Sequence, residues 1–144
     1  MLRVTKLTDY GIALMTSLAV RDGQELATAP NLSKHMGLPL PTVRKILKIL
    51  TTENLLESTR GVSGGYSLAR DPEDITLMDM VAAFEGPFSM TECATEDPCQ
   101  CKVTNCGLRE NWSLVNQLLQ NTLESYNLAQ MTGSLADFGA QRLK

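Results

Sequence analysis

The chain has 144 residues, 43% of them hydrophobic and 20% charged, enough apolar material for one domain, or a small domain with an appendage, and too much for a disordered segment. No run approaches the roughly eighteen apolar residues of a membrane span, and the opening "MLRVTKLTDYG" lacks the basic-then-apolar layout of a secretory signal, so a cytoplasmic protein is expected. The net charge of −3 hides an asymmetry: residues 1–70 carry a formal +4, compatible with nucleic acid, whereas residues 71–144 carry −7 and would be repelled by phosphate.

"LTDYGIALMTSLAV" puts Leu7, Ile12, Leu14, Met15, Leu18 and Ala19 on one apolar stripe at helical spacing. With Thr8 as N-cap, this predicts a first helix over roughly 8–21. After the polar "RDGQ", the segment "ATAPNLSKHMG" predicts a short second helix: Thr28 caps it, Pro30 fits its first turn and Gly37 stops it. His35, the only histidine, is expected on its surface. "LPLPTVRKILKILTTENLL" predicts a third helix with Val43, Ile46, Leu47 and Leu50 inward and Arg44, Lys45 and Lys48 outward. Short helix, glycine turn and basic second helix is the helix-turn-helix order, although a plain antiparallel helix pair with surface lysines has the same pattern.

"LLESTRGVSGGYSLAR" shifts the balance toward DNA. It reads as strand, turn and strand with Arg60 at the tip, and a hairpin directly after a recognition helix is a wing. An arginine at such a tip suits the minor groove, where negative potential is concentrated. Tyr66 is expected to pack within the fold. "DPEDITLMDMVAAFEGP" then predicts a fourth helix, opened by a capping-box-like Thr76 and Asp79 and closed by Gly86 and Pro87. Leu77, Met80, Val81 and Phe84 form its buried stripe, and Met78 and Met80 are core filler.

Residues 88–106 carry no periodicity and hold all four cysteines, Cys93, Cys99, Cys101 and Cys106. A loop of this length without secondary structure calls for something to order it, and in a reducing compartment clustered thiols are metal ligands or redox groups. Five, one and four residues separate the cysteines, which matches neither the paired spacing of structural zinc nor the ferredoxin runs. Soft thiolates can nevertheless wrap an iron-sulfur core from irregular positions. An iron-sulfur cluster, zinc and thiol-disulfide switching therefore all stay open. "CGLRENWSLVNQLLQNTLESYNLAQM" predicts one long amphipathic helix over about 107–131, with Leu108, Trp112, Val115, Leu118, Leu119, Leu123, Tyr126 and Leu128 at three- and four-residue steps. Its apolar face needs a partner, most simply its twin in a homodimer, with Trp112 anchoring the interface. The tail over 132–144 is expected to fray.

This reading divides the chain into a winged helix-turn-helix domain over 1–87, a cysteine loop over 88–106, a dimerisation helix over 107–131 and the tail. Catalysis finds no support, since no histidine lies near the cysteines and there is no phosphate-binding glycine loop. The protein is not expected to be an enzyme.

The stretches "LRVTKLTDYGIALM", "GLPLPTVRKILKILTTENLLES" and "RGVSGGYSL", with the late cysteine loop followed by "LRENW", resemble the Rrf family of bacterial winged-helix regulators. That family includes the iron-sulfur regulator IscR and the nitric-oxide sensor NsrR. "RVTKLTDYG" is especially similar to regulators of the SUF iron-sulfur assembly operon. The resemblance implies a mainly α fold with a small β-hairpin wing and a homodimer joined by the long helix, reading a roughly palindromic double-stranded operator. It implies that Pro41, Thr42, Arg44 and Lys45 approach bases, with Lys48 on the same basic face, and that Arg60 enters the minor groove. It further implies that Cys93, Cys106 and one of Cys99 and Cys101 ligate a 2Fe-2S or 4Fe-4S cluster.

IscR-like members place a histidine three residues after the last cysteine, where this chain has Arg109, which cannot lose its proton to bind iron. The fourth ligand then falls to the remaining cysteine or to Asp9, which corresponds to an aspartate that reaches the cluster from the other subunit in NsrR-like members. The function expected from the resemblance is cluster-dependent repression of a SUF-type operon. The alternatives are a nitric-oxide or redox-sensing repressor of the same family and a zinc or thiol-switch DNA-binding protein.

Overall fold

The computed structural model of the chain describes residues 3–21, 27–91, 94, 102–103 and 106–133. Helices α1 (Lys6–Ala19), α2 (Ala29–Met36) and α3 (Leu40–Thr52) precede an antiparallel hairpin of β1 (Leu56–Thr59) and β2 (Gly65–Leu68). A 3-10 turn (Pro72–Asp74) leads into α4 (Leu77–Glu85), and α5 (Arg109–Glu124) and α6 (Leu128–Met131) complete the described elements.

The short elements form where their local signals place them. Thr28 accepts a hydrogen bond from the Asn31 backbone N–H to open α2, and Gly37 closes it in the left-handed region at φ 66°. On α3, Val43, Ile46, Leu47 and Leu50 are all buried. They meet Leu14 and Met15 of α1, Leu32 of α2, Leu55, Leu56, Ile75 and Met80 in one apolar core. Tyr66 packs against that core as expected, and its backbone N–H donates to the Ala27 carbonyl at 3.0 Å, fastening the hairpin to the chain before α2. Thr76 and Asp79 form the reciprocal capping box of α4.

Two expectations are corrected. Helix α1 begins before Thr8: its N-cap is Thr5, whose hydroxyl oxygen accepts from the Thr8 backbone N–H, and Thr8 lies inside the helix with its side chain buried. Either threonine has the chemistry of a cap, but the Thr8 hydroxyl is taken up by a carboxylate of α4, which leaves Thr5 for the role.

The single helix over 107–131 is instead two, broken at 125–127. Asn127 is extended and opens α6 through its own capping box with Gln130. Next to it, Thr76 and Asn127 form a β-bridge, in which the Leu77 N–H donates to the Tyr126 carbonyl at 2.7 Å and the Leu128 N–H to the Ile75 carbonyl at 2.8 Å. The break turns Leu128 out of the α5 stripe and into the core, where it is 0% exposed. Two helix starts, those of α4 and α6, are thus stitched side by side. No helix among the described residues is long and apolar enough to cross a membrane.

Candidate nucleic-acid interface and metal centre

The residue pattern that buries one side of α3 leaves the opposite side facing solvent. Pro41, Arg44, Lys45 and Lys48 are exposed, at helical steps, and Thr42 is half-buried. Among the described residues no acidic side chain pairs with Arg44, Lys45, Lys48 or Arg60, so the face keeps its full positive charge. The hairpin loop brings a second cation forward. Gly61 sits at φ 108°, the Gly64 N–H donates to the Gly61 carbonyl at 2.9 Å, and a side chain at Gly64 would strike the Thr59 carbonyl oxygen. This tight turn leaves Arg60 exposed and Val62 fully exposed at the tip. Lys34 and His35 are exposed in the last turn of α2.

The "TDYG" segment resolves into separate tasks. The Thr8 hydroxyl donates to Glu85 Oε1, the Thr5 backbone N–H donates to the same oxygen at 2.9 Å, and the two threonine hydroxyls lie 2.9 Å apart. Three residues on, a Cβ at Gly11 would run into the Phe84 ring. Thr8 and Gly11 therefore share the α1 face that receives the last turn of α4. The Thr8 hydroxyl, then the Thr5 N–H, hold the Glu85 carboxyl below the ordinary glutamate range. Asp9 points elsewhere: it is exposed in the first turn of α1, and among the described residues no side-chain partner engages it.

The cysteine loop leaves α4 through Gly86, at φ 80°. Its first residues are tied to α5: the Met90 N–H donates to Asn116 Oδ1 at 3.1 Å, and Gln120 Nε2 donates to the Phe88 carbonyl at 3.2 Å. Asn116 is 7% exposed, a buried amide on the inner side of α5 beside Trp112, Leu119 and Leu123. At the other end of the loop, Cys106 is a half-buried free thiol shortly before α5 begins. The loop is thus tied at its first residues to the helix into which its other end leads.

Cys93, Cys99 and Cys101 lie outside the described residues. Among the described residues no three His, Cys, Asp or Glu side chains gather, and Arg109 is exposed at the start of α5. Thiolate is nevertheless the donor that iron-sulfur centres take, and a segment with four thiols, of which Cys106 is free, has the donor chemistry such a centre needs. Asn116, Gln120 and Glu85 were not singled out from the sequence; the available signal was a polar residue at each of the first two positions on an otherwise apolar face. The outer face of α5 exposes Leu108, Leu114, Val115 and Leu118, an apolar strip without a partner in the single chain.

Comparison with known proteins follows the same lines. A family model, Rrf2, described as an iron-dependent transcriptional regulator, matches residues 4–134. The chain is 35% identical to protein aau3 of Rhizobium meliloti over 108 residues, 74% of this chain and 70% of that protein. Among solved structures, T. potens IscR is similar with a TM-score of 0.66 at 26% identity, over 90% of this chain and 85% of the other. CymR, the global cysteine regulator of B. subtilis, is similar with a TM-score of 0.72 at 24% identity, over 92% of this chain and 97% of the other, a likeness of fold.

Proposed function

This chain belongs to the Rrf2 family of transcriptional regulators, and we propose that within it the protein is an iron-sulfur-cluster-sensing DNA-binding repressor, acting on a SUF-type cluster-assembly operon. The observation that carries this reading is that the segment bearing four thiols is tied at its first residues to the helix it then runs into, whose far end is stitched to the winged-helix core.

In this reading Pro41, Thr42, Arg44 and Lys45 meet base edges in the major groove, Lys48 meets phosphate and Arg60 enters the minor groove. Two such units act together in a homodimer closed by the apolar strip of α5. Cys93, Cys106 and one of Cys99 and Cys101 hold the cluster, and the fourth ligand is the remaining cysteine or Asp9 of the second copy. The exposure of Asp9, when its neighbours Thr8 and Gly11 are committed to α4, favours the aspartate.

The cysteine thiolates would hold the cluster, which would supply an iron-sulfide centre whose presence depends on iron supply and redox state. The chain's own residues carry the consequence. Asn116 and Gln120 fix the loop's first residues on α5, and the bridge at Thr76 and Asn127 fixes the junction of α5 and α6 to the start of α4. An ordered loop therefore biases the spacing of the two recognition helices, and a relaxed loop releases it. The test is operator binding by protein purified without oxygen, with and without cluster. Tighter binding of the loaded form is expected; equal affinity would end the sensing model.

A further inference from the structure

Glu85 is the last residue of α4 and stands immediately before Gly86, where the chain turns into the cysteine loop. Its Oε1 takes two hydrogen bonds, from Thr5 and Thr8, in the opening turn of α1, the turn that carries Asp9. Both donors come from far along the chain, 80 and 77 positions away. Thr5 and Glu85 are exposed, whereas Thr8 is buried, so the carboxylate reaches in from the surface to take up the one buried hydroxyl on this face of α1.

What surrounds Glu85 connects it in the other direction. It lines an apolar groove of about 520 Å³ with Val4, Val81, Phe88, Leu119 and Leu123, where the start of α1, the side of α4, the loop's root and α5 all meet. Phe88 in that groove is the residue whose carbonyl accepts from Gln120 of α5. Phe88, tied to α5, and Glu85, tied to the first turn of α1, therefore line the same groove three residues apart on the chain. Further along α1, Leu14 and Met15 pack with Val43, Ile46 and Leu47 of the recognition helix.

We propose that Glu85 is a positioning residue that couples the root of the cysteine loop to the first turn of α1, so that the state of the loop reaches the recognition helix through α1 as well as through α5. This rests on the cluster-sensing reading. It also gives the "TDYG" segment a second use: Thr8 and Gly11 hold α1 on the loop's root while Asp9 is presented outward in a fixed register. Coupling of this kind needs an element with two arrangements that both sites bias, and the turn at Gly86, with its positive φ, is where the chain changes direction between the fixed tie and the loop.

The full-length protein decides it. Wild type, Glu85→Ala, Glu85→Gln and Thr8→Val are loaded with cluster without oxygen, and each is compared with its cluster-free form for binding to a duplex enriched from a random pool by loaded wild type. Glu85→Ala is expected to keep iron, sulfide and cluster-free affinity within about twofold while its loaded-to-free affinity ratio falls by roughly fivefold or more. Glu85→Gln, whose amide oxygen still accepts from Thr5 and Thr8, should keep most of the ratio, which a merely destabilising change would not reproduce. An unchanged ratio in Glu85→Ala, or equal loss in Glu85→Gln, overturns the inference. Should Glu85→Ala not fold, the near-isosteric Thr8→Val decides in the same way. A wild-type ratio of one, or wild type without iron and sulfide, overturns the cluster-sensing reading and the inference with it.

Discussion

The winged-helix body and the arm that follows it are held by different forces. In the body, eleven fully or nearly fully buried apolar side chains, joined by Leu128 of α6, form one core to which every helix from α1 to α4 contributes. In α5 the sole buried residue is an asparagine, and the strip on the other side is exposed leucine and valine. Burial of apolar surface, at about 25 cal/mol per Å², is what stabilises the body. Helix α5 is held by amide hydrogen bonds, each with a net worth of about 1 kcal/mol, and by half-buried contacts with α4. A switch needs such a contrast, since an element that moves has to be fixed weakly enough to be released by a ligand's differential binding.

Two leucines of the arm, ten positions apart, give the widest test of that contrast. Leu128 is 0% exposed and Leu118 is 57% exposed. Leu128→Ala should cost about 2–5 kcal/mol in urea unfolding, because it opens a cavity in the body's core. Leu118→Ala should shift the unfolding of the monomer by no more than about 0.5 kcal/mol, while weakening self-association in sedimentation. Equal costs at the two sites would show that the arm is part of the same cooperative core.

Why the sequence disclosed one region better than the other has the same origin. The starts of α2 and α4 were legible because Thr28 and Thr76 act on backbone groups within three residues of themselves. The buried and exposed sides of α3 were legible because one face is wholly apolar and the other basic. The α1 start was misplaced because Thr5 and Thr8 offer equal caps, and the group that distinguishes them is 77 positions away. At 125–127 the apolar rhythm runs on through Tyr126 and Leu128, and only the distant backbone of Ile75 and Leu77 shows that the chain leaves the helix there. Asn116 escaped notice because its partner is a backbone N–H in an irregular segment, which no periodicity marks. Of the candidate metal ligands, only Cys106 and Asp9 fall within the described residues, so the sequence remains the sole source for Cys93, Cys99 and Cys101.

A smaller effect probes the seam between body and loop. The Phe84 ring occupies the space a Gly11 side chain would need, so Gly11→Ala forces α1 and α4 apart and should destabilise by about 1–3 kcal/mol, despite alanine's better helix propensity. Phe84→Leu, made in the Gly11→Ala background, should return part of that loss, and the sum of the two single changes should exceed the double. Additive losses would mean that the glycine is not there for the ring.

The smallest effect separates charge from geometry in the Glu85 tie. Hydrogen bonds from Thr8 and Thr5 hold the folded carboxyl below its ordinary range. Its contribution is therefore complete above the unfolded-state value and is lost as pH falls through the depressed folded value. Because Glu85 is exposed, solvent screening keeps this below about 1 kcal/mol. The negative charge also sits at the start of α1, where the helix dipole favours it, with Arg3 lining the same groove and Lys6 and Asp9 on the adjoining turn. Urea midpoints of wild type and Glu85→Gln, measured from neutral pH into the acid range, should differ slightly at neutrality, begin to close near the ordinary glutamate value and converge below the depressed folded one. A gap that stays constant with pH would mean that the carboxylate's charge contributes nothing. Convergence, together with a retained loaded-to-free ratio in Glu85→Gln, would assign the charge to stability and the hydrogen-bond geometry to signalling.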